Sequence, residues 1–356
     1  MAGNTYSLTG SRLGKFKGEI LAHAMHKEVL GRGGRQVSMP KNSSDTYVAR
    51  RVIPYGATAA NYNQFFQNST LTDRGNAMVQ AHQTQEGVTS TPDSISFMDV
   101  TTIINQFDCL YMWTDKTALL HEDDVPKLAV EQVGERVGLV NEMILWGILR
   151  SCTNQFYGGT GTGRTSVNGK LTLGLVRKVT KSLQANHASM VNSTLKASGD
   201  FATAPVEAGF FVYAHTDLAP DIRDMPGFIH VKEYASGTPM PGELGAVEDF
   251  RFILSPDLPS IQDAASTITA STYGLVTTGG TNPDVYQCVV AGKDAWSQLS
   301  VRGLNSLDPT YLPTGKKDKG DPHGQRGYAG TIWWKGAAVE NDFWMGIINV
   351  GASVIS

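Results

Sequence analysis

The chain has 356 residues, 41% of them hydrophobic and 18% charged, with a formal net charge of −3. That length allows one large domain or two to three small ones. No run approaches the 18 apolar residues of a membrane helix, so no span is indicated. The segment 1–6 also lacks the charged-then-apolar pattern of a secretion signal. A surface poor in charge fits a protein covered by copies of itself, and the 38 glycines fit a β-rich chain with many turns. The three cysteines, Cys109, Cys152 and Cys288, are far apart, odd in number and without metal spacing. They read as reduced, mostly buried thiols of a cytoplasmic product.

Charge is unevenly spread. Residues 1–51 carry nine Lys/Arg against three Asp/Glu, a balance of +6 that leaves −9 for the rest. A basic arm on an acidic body suggests contact between copies or with nucleic acid. Within 1–40, a helical stretch over 20–30 is broken by Gly31-Arg32-Gly33-Gly34. The segment cannot bury a core alone and is expected to pack on something else. Apolar residues such as Phe16 and Leu21 are interspersed with its charges, favouring docking on a neighbour with DNA contact secondary.

Residues 46–53 form a β-rich run ended by Pro54-Tyr55-Gly56. About forty polar and aromatic residues follow, including Tyr62, Phe65 and Phe66, before a strand returns over 94–107. Two long strands around an irregular tip describe an extended hairpin, which is poorly stable alone and pairs with a neighbour. Asp124 then caps a helix predicted over 125–150, with Pro126 in its first turn. Its expected buried face is Val125, Leu128, Val133, Val137, Val140, Ile144 and Ile148. At 1.5 Å per residue it spans ~37 Å and needs a sheet or neighbour along most of that length. A second helix is predicted over 171–190, with Leu171, Leu175, Val179 and Leu183 on one face. Strands follow at 207–214, 250–254 and 285–290, with a short helix at 215–223 and a surface loop over 257–282. The last forty residues hold a Gly/Pro turn, two apolar strands and three of the six tryptophans, Trp333, Trp334 and Trp344. Such aromatics place this end in a core. The class is α+β.

Tests for chemistry return little. Gly158-Gly159-Thr160-Gly161-Thr162-Gly163-Arg164-Thr165 nearly fits a phosphate-binding loop, but Arg164 replaces the Lys. The segment also appears after a helix instead of a strand, and the pattern continues as loop rather than opening a helix. An interdomain loop is favoured. His23 and His26 are one helical turn apart without a third ligand, and His121-Glu122-Asp123-Asp124 reads as a solvated helix cap before it reads as a Ca²⁺ site. Asp217, Asp221 and Asp224 read as helix-start and turn residues. No catalytic, cofactor or metal site is assigned, and no enzymatic activity is expected.

Several segments, in order, resemble the N4-like bacteriophage major coat protein family. They are Lys41-Asn42 before Tyr47-Val48-Ala49-Arg50-Arg51, Glu86-Gly87-Val88-Thr89-Ser90-Thr91-Pro92, and Tyr213-Ala214-His215-Thr216-Asp217 through Asp221-Ile222-Arg223. Gly242-Glu243-Leu244-Gly245, Gly292-Lys293-Asp294-Ala295 and Asp321-Pro322-His323-Gly324-Gln325-Arg326-Gly327 continue the series, with Asn341-Asp342-Phe343-Trp344 near the end. One departure is Ile103-Ile104-Asn105-Gln106-Phe107-Asp108, where the family's Gly is lost.

The resemblance implies an HK97-like capsid fold. Its parts would be an N-terminal arm (1–45), an extended loop or E-loop hairpin (46–107) and a peripheral domain with a long spine helix (108–165). An axial domain (166–310) and C-terminal strands returning to the peripheral domain (311–356) complete it. It implies a major capsid protein that self-assembles into hexamers and pentamers of an icosahedral shell around double-stranded DNA, assembled in the host bacterial cytoplasm and resident in the virion. Implied partners are other copies, a separate scaffolding protein, a portal, packaged DNA contacted without base specificity, and a decoration protein as a further candidate; no membrane is implied. Intersubunit contacts are expected at Phe16, Leu21, Arg50, Arg51, Tyr55, Tyr62, Phe65 and Phe66. The alternatives are a soluble α+β enzyme using the Gly-rich loop or a carboxylate cluster, and a nanocompartment shell enclosing protein cargo.

Overall fold

A computed structural model of the chain describes residues 28–40, 44–54, 57, 59–60, 62–63, 83–84, 86–89, 92, 94–191, 208–233, 239–267, 274–301 and 308–355. The expected helix over 20–30 falls mostly outside these residues.

Among the described residues three sheets organise the α+β fold. The largest has seven strands. Its order is β5 (Gln155–Tyr157), β14 (Met345–Val350), β10 (Tyr286–Ala291), β6 (Phe210–Ala214), β9 (Phe250–Leu254), β8 (Glu243–Val247) and β7 (Phe228–His230). Strands β6, β10 and β14 are buried at every position. They read as continuous apolar runs because both sheet faces are covered. Phe210, Val212, Cys288, Val290, Ile348 and Val350 face helix α3 (Leu173–Ala185), whose Leu175, Val176, Val179 and Leu183 are buried against them. This is the helix face expected from the sequence, with Leu171 buried just ahead of it. Phe211, Tyr213, Val289 and Ile347 face the opposite way, toward the C-terminal half of helix α2 (Val125–Leu149).

Helix α2, preceded by the short helix α1 (Asp115–Leu120), joins this core to a second one. Asp124 caps it by accepting from the Lys127 amide at 3.2 Å, as expected. Its first half lays Ala129, Val133 and Val137 on Cys109, Trp113, Ala329 and Trp333 of a five-stranded sheet. That sheet is β1 (Arg35–Met39), β11 (Trp296–Val301), β13 (Arg326–Val339) and β12 (Asp308–Leu312), with β4 (Asn105–Thr114) on the free flank of β13. The second half buries Leu145, Trp146 and Leu149 beneath the seven-stranded sheet. The buried face agrees with the expected one at Val133 and Val137, with Val125 and Val140 packed beside them, and departs from it in the second half. Ile144 and Ile148 are only half-buried, and the row through Val133 and Val137 continues at steps of four to Leu145 and Leu149.

Three further expectations change. The run 94–107 is not one strand. Buried Ile104 separates β3 (Ser96–Ile103), paired with β2 (Thr46–Ile53), from β4, paired with β13. The arm boundary at 45 also divides differently, because β1 already lies parallel to β11 within the body. Both C-terminal strands meet α2: β13 lies on its first half, and β14, beside β10 in the seven-stranded sheet, faces its second half. By contrast β11, expected in the axial part, crosses to the five-stranded sheet after the turn at Asp294, whose φ is 54°. Each crossing follows from what the strand must bury. β14 is apolar on both faces and needs a sheet covered on both sides.

Candidate assembly surface

The β2–β3 hairpin stands apart as a two-stranded ribbon. Its register pairs Val48 with Thr101, Arg50 with Asp99, and Val52 with Phe97. Side chains alternate along each strand. One face carries Tyr47, Arg51, Val100 and Thr102, all half-buried. Thr102 Oγ1 donates to the Ala337 carbonyl at 3.3 Å, so this inner face rests on β13. The outer face carries Val48, Val52, Phe97 and Ile103, each 50–57% exposed. Arg50 and Asp99 sit among them as a forked ion pair, Nε to Oδ1 at 2.8 Å and Nη2 to Oδ2 at 2.9 Å. The Arg50 fork holds the Asp99 carboxyl below its usual range. Leu110 on β4 and Ile332 on β13 add exposed apolar area on the neighbouring sheet.

Arg51 and Tyr62, expected at an intersubunit contact, are engaged within the chain. Tyr62 is buried against Phe343, with ring centroids 5.2 Å apart, and the Arg51 guanidinium lies 4.8 Å from its centroid. Burial pushes the Tyr62 phenol up. Arg50 is the expected contact residue that faces outward. Phe16, Leu21, Tyr55, Phe65 and Phe66 lie outside the described residues.

The arm is seated by residues that sequence reasoning passed over. Glu142, fully buried in α2, accepts from the Val29 and Leu30 amides at 3.1 and 2.9 Å. Gln298 Nε2 donates to the Gly31 and Gly33 carbonyls at 3.0 and 2.6 Å, while its Oε1 accepts from Lys335 Nζ at 2.7 Å. Burial pushes the Lys335 ammonium down, and the charges of Glu28 and Glu142 oppose that shift. The available signal was a charged residue in the apolar run of a helix: Glu142 stands three residues before Leu145.

The Gly-rich segment follows short strand β5, not a helix directly, and leads into a single turn at Arg164–Ser166. Its amides are used internally. Thr162 and Gly163 donate to Ser166 Oγ at 3.1 and 3.0 Å, and Thr160 donates to Asn168 Oδ1 at 3.0 Å. A phosphate cradle needs such amides turned toward a ligand. His121 and Asp124 accept from the Asp123 and Lys127 amides, which ends the helix start locally. Asp221 is not a solvated turn residue. It is buried, accepts from Ser353 Oγ at 2.6 Å and pairs with Lys170 at 3.4 Å, tying the C-terminal segment to the body. His23 and His26 lie outside the described residues. Among the described residues no three His, Cys, Asp or Glu side chains converge as a metal set, and no helix is long and apolar enough to cross a membrane. All three cysteines are free and buried, and burial pushes the Cys288 thiol up to about 12.

No protein-family model matches the chain. One curated relative, the major capsid protein of Pseudomonas phage KPP21, is 24% identical over 153 residues. That match takes in 40% of this chain and 38% of the relative. Solved structures match over nearly the whole length. The capsid of Ralstonia phage GP4 has a TM-score of 0.64 at 11% identity, with all of both chains covered. The head of Helicobacter pylori bacteriophage KHP40 has 0.57 at 13%, covering 98% of each chain. The Cyanophage Pam1 capsid also has 0.57, at 12%, covering 99% of this chain and 100% of that one. The chain has the HK97-like fold of phage capsid proteins.

Proposed function

We propose that this chain is the major capsid protein of a bacteriophage and builds an icosahedral shell of hexamers and pentamers around double-stranded DNA. The observation that carries this reading is the end-to-end likeness to phage capsid chains, with 100% of both chains covered in the GP4 comparison. The motif order and the KPP21 match support it, and assignment to the N4-like branch rests on the motifs alone. Its role is structural. Other copies are its main partners; scaffolding protein, portal, packaged DNA and a decoration protein follow from the same reading. Assembly would occur in the host cytoplasm and the product would reside in the virion.

The hairpin supplies the contact. Its outer face is apolar, exposed and projecting, and a two-stranded ribbon gains stability by lying on another surface. A neighbouring copy is the occupant, with the tip residues Tyr55, Phe65 and Phe66 and the arm residues Phe16 and Leu21 extending the contact. Stable obligate interfaces of this kind bury over ~2,000 Å² in total. The test is particle mass with absorbance ratio on native material. Megadalton particles rich in nucleic acid support the reading. Particles filled with protein favour a nanocompartment, and soluble monomers overturn the shell altogether.

A further inference from the structure

The turn between β13 and β14 collects contacts from parts of the chain that are far apart in sequence. Its own backbone is bolted to the body. The Glu340 and Asn341 amides both donate to the Ala295 carbonyl at 2.9 Å. Asp342 accepts from the Thr153 amide at 3.0 Å, just beyond the end of α2. Onto this fixed turn come three separate strands of contact. From β1, directly after the seated arm residues Val29 to Gly33, Arg35 reaches Glu340 Oε1 at 3.5 Å. From the hairpin stem, the Tyr47 hydroxyl donates to the same oxygen at 3.4 Å, and Arg51 donates to the Glu340 carbonyl. From beyond the stem, Asn63 and Asn341 exchange two amide hydrogen bonds at 2.8 and 3.2 Å, both side chains being buried. Tyr62 packs beside them on Phe343, under Arg51.

We propose that Glu340 and Asn341 form a positioning hub that fixes the angle at which the hairpin leaves the body and ties that angle to the seated arm. The ribbon's inner face rests on β13 through Thr102 and on a small apolar cluster through Tyr47, and Ile104 alone links β3 to β4. Two side-chain oxygens and one carbonyl of a single turn add the directional contacts at the other end of the stem. A buried amide pair suits this role because geometry, not apolar area, makes it favourable. A tilted hairpin would leave both amides buried without partners, which penalises intermediate angles. In a shell, which rests on the capsid reading above, hairpin angle sets how neighbouring copies incline to one another.

The experiment uses the isolated full-length subunit. Cysteines introduced at Thr101, on the hairpin's outer face, and at Glu131, on the solvent side of α2, carry spin labels. The three native cysteines are buried and stay unlabelled. Asn341→Ala and Asn63→Ala should each broaden the label-to-label distance distribution about twofold and speed amide exchange at residues 51–53 about tenfold. Arg50→Ala, on the far face, should leave the distance distribution unchanged and alter exchange at residues 51–53 far less than either Asn variant. Asn63 lies outside the apolar clusters, so it decides the matter if Asn341→Ala unfolds the subunit. Unchanged distances and exchange in Asn63→Ala would overturn the hub. These readouts need no assembly, so their failure is separable from failure of wild-type subunits to form particles. If both hold, the two Asn variants should give particles of mixed size where wild type gives one.

Discussion

The seven-stranded sheet and the β2–β3 hairpin use β-structure in opposite ways. In the sheet, β6, β10 and β14 are buried at every position, and one face meets α3 while the other meets α2. The hairpin alternates half-buried and exposed residues along both strands, and its exposed set includes Val48, Val52, Phe97 and Ile103. The sheet is complete within one chain. The hairpin leaves Val48, Val52, Phe97 and Ile103 exposed on its outer face, the face proposed to meet a neighbouring copy. Substitutions should therefore divide cleanly: those in the sheet and its helices unfold the subunit, while those on the hairpin leave it folded and change what it joins.

The largest effect on subunit stability is expected at the meeting of the two cores. Leu145 is fully buried between α2 and the seven-stranded sheet. Leu145→Asp places a charge without a partner there and should cost ~3 kcal/mol or more. Ile144→Asp, one residue away on the half-buried side, should cost far less. Urea unfolding of the two variants reads the difference directly, and equal losses would remove the assigned face. Next comes the arm. Glu142→Gln retains shape but weakens the acceptor for the Val29 and Leu30 amides, a change of about 1–3 kcal/mol. Faster hydrogen exchange at those two amides, with the rest of α2 unchanged, is the expected signature.

How much of this was legible depended on whether a signal was local. Helix α3 and its face at Leu175, Val179 and Leu183 follow from spacing alone, as do the Asp124 cap and the apolar run of β14. The hairpin stem was legible from two β-rich runs around a polar tip. Three things were not. The break at Ile104 has no Gly or Pro to mark it; the strand changes sheets because β13 offers a second partner. The second half of the α2 face was not, because Leu145, Trp146 and Leu149 are selected by sheet residues as far along the chain as Ile347. The roles of Tyr62, Asn63 and Arg51 depend on Glu340 to Phe343, almost three hundred residues away, and no spacing rule reaches that far. A likeness to phage coat proteins was visible in motif order, while the exposed apolar face needed the register that puts Val52 opposite Phe97.

A smaller effect on stability, with a large one on association, is expected from the hairpin's outer face. Val52→Asp combined with Phe97→Asp alters side chains that are 54% and 57% exposed. Surface changes of this kind usually stay within about 0.5 kcal/mol each. The subunit should unfold at nearly the wild-type urea concentration yet fail to form particles in sedimentation. Normal particles from this variant would mean the apolar face is not a joint, and the hairpin would need another role.

The smallest expected effect is at Arg50 and Asp99, and pH isolates it. Both groups are solvent-exposed, so the pair is screened and contributes little to the subunit's stability. Its direction is nevertheless fixed. The Arg50 fork holds the Asp99 carboxyl below its ordinary value, so the folded hairpin binds that proton less readily than the unfolded chain. Stability from the pair is therefore present above the ordinary carboxylate pKa of about 3.9 and fades as pH falls through the lower, folded value. Arg50→Ala should loosen the hairpin slightly near neutral pH, and the difference from wild type should disappear in acid or in molar salt. Amide exchange at Val100 and Thr101, compared between the two proteins across pH, measures this. A difference that persists when Asp99 is protonated would assign Arg50 a packing role over the Phe97 ring, 5.8 Å from its guanidinium, in place of an electrostatic one.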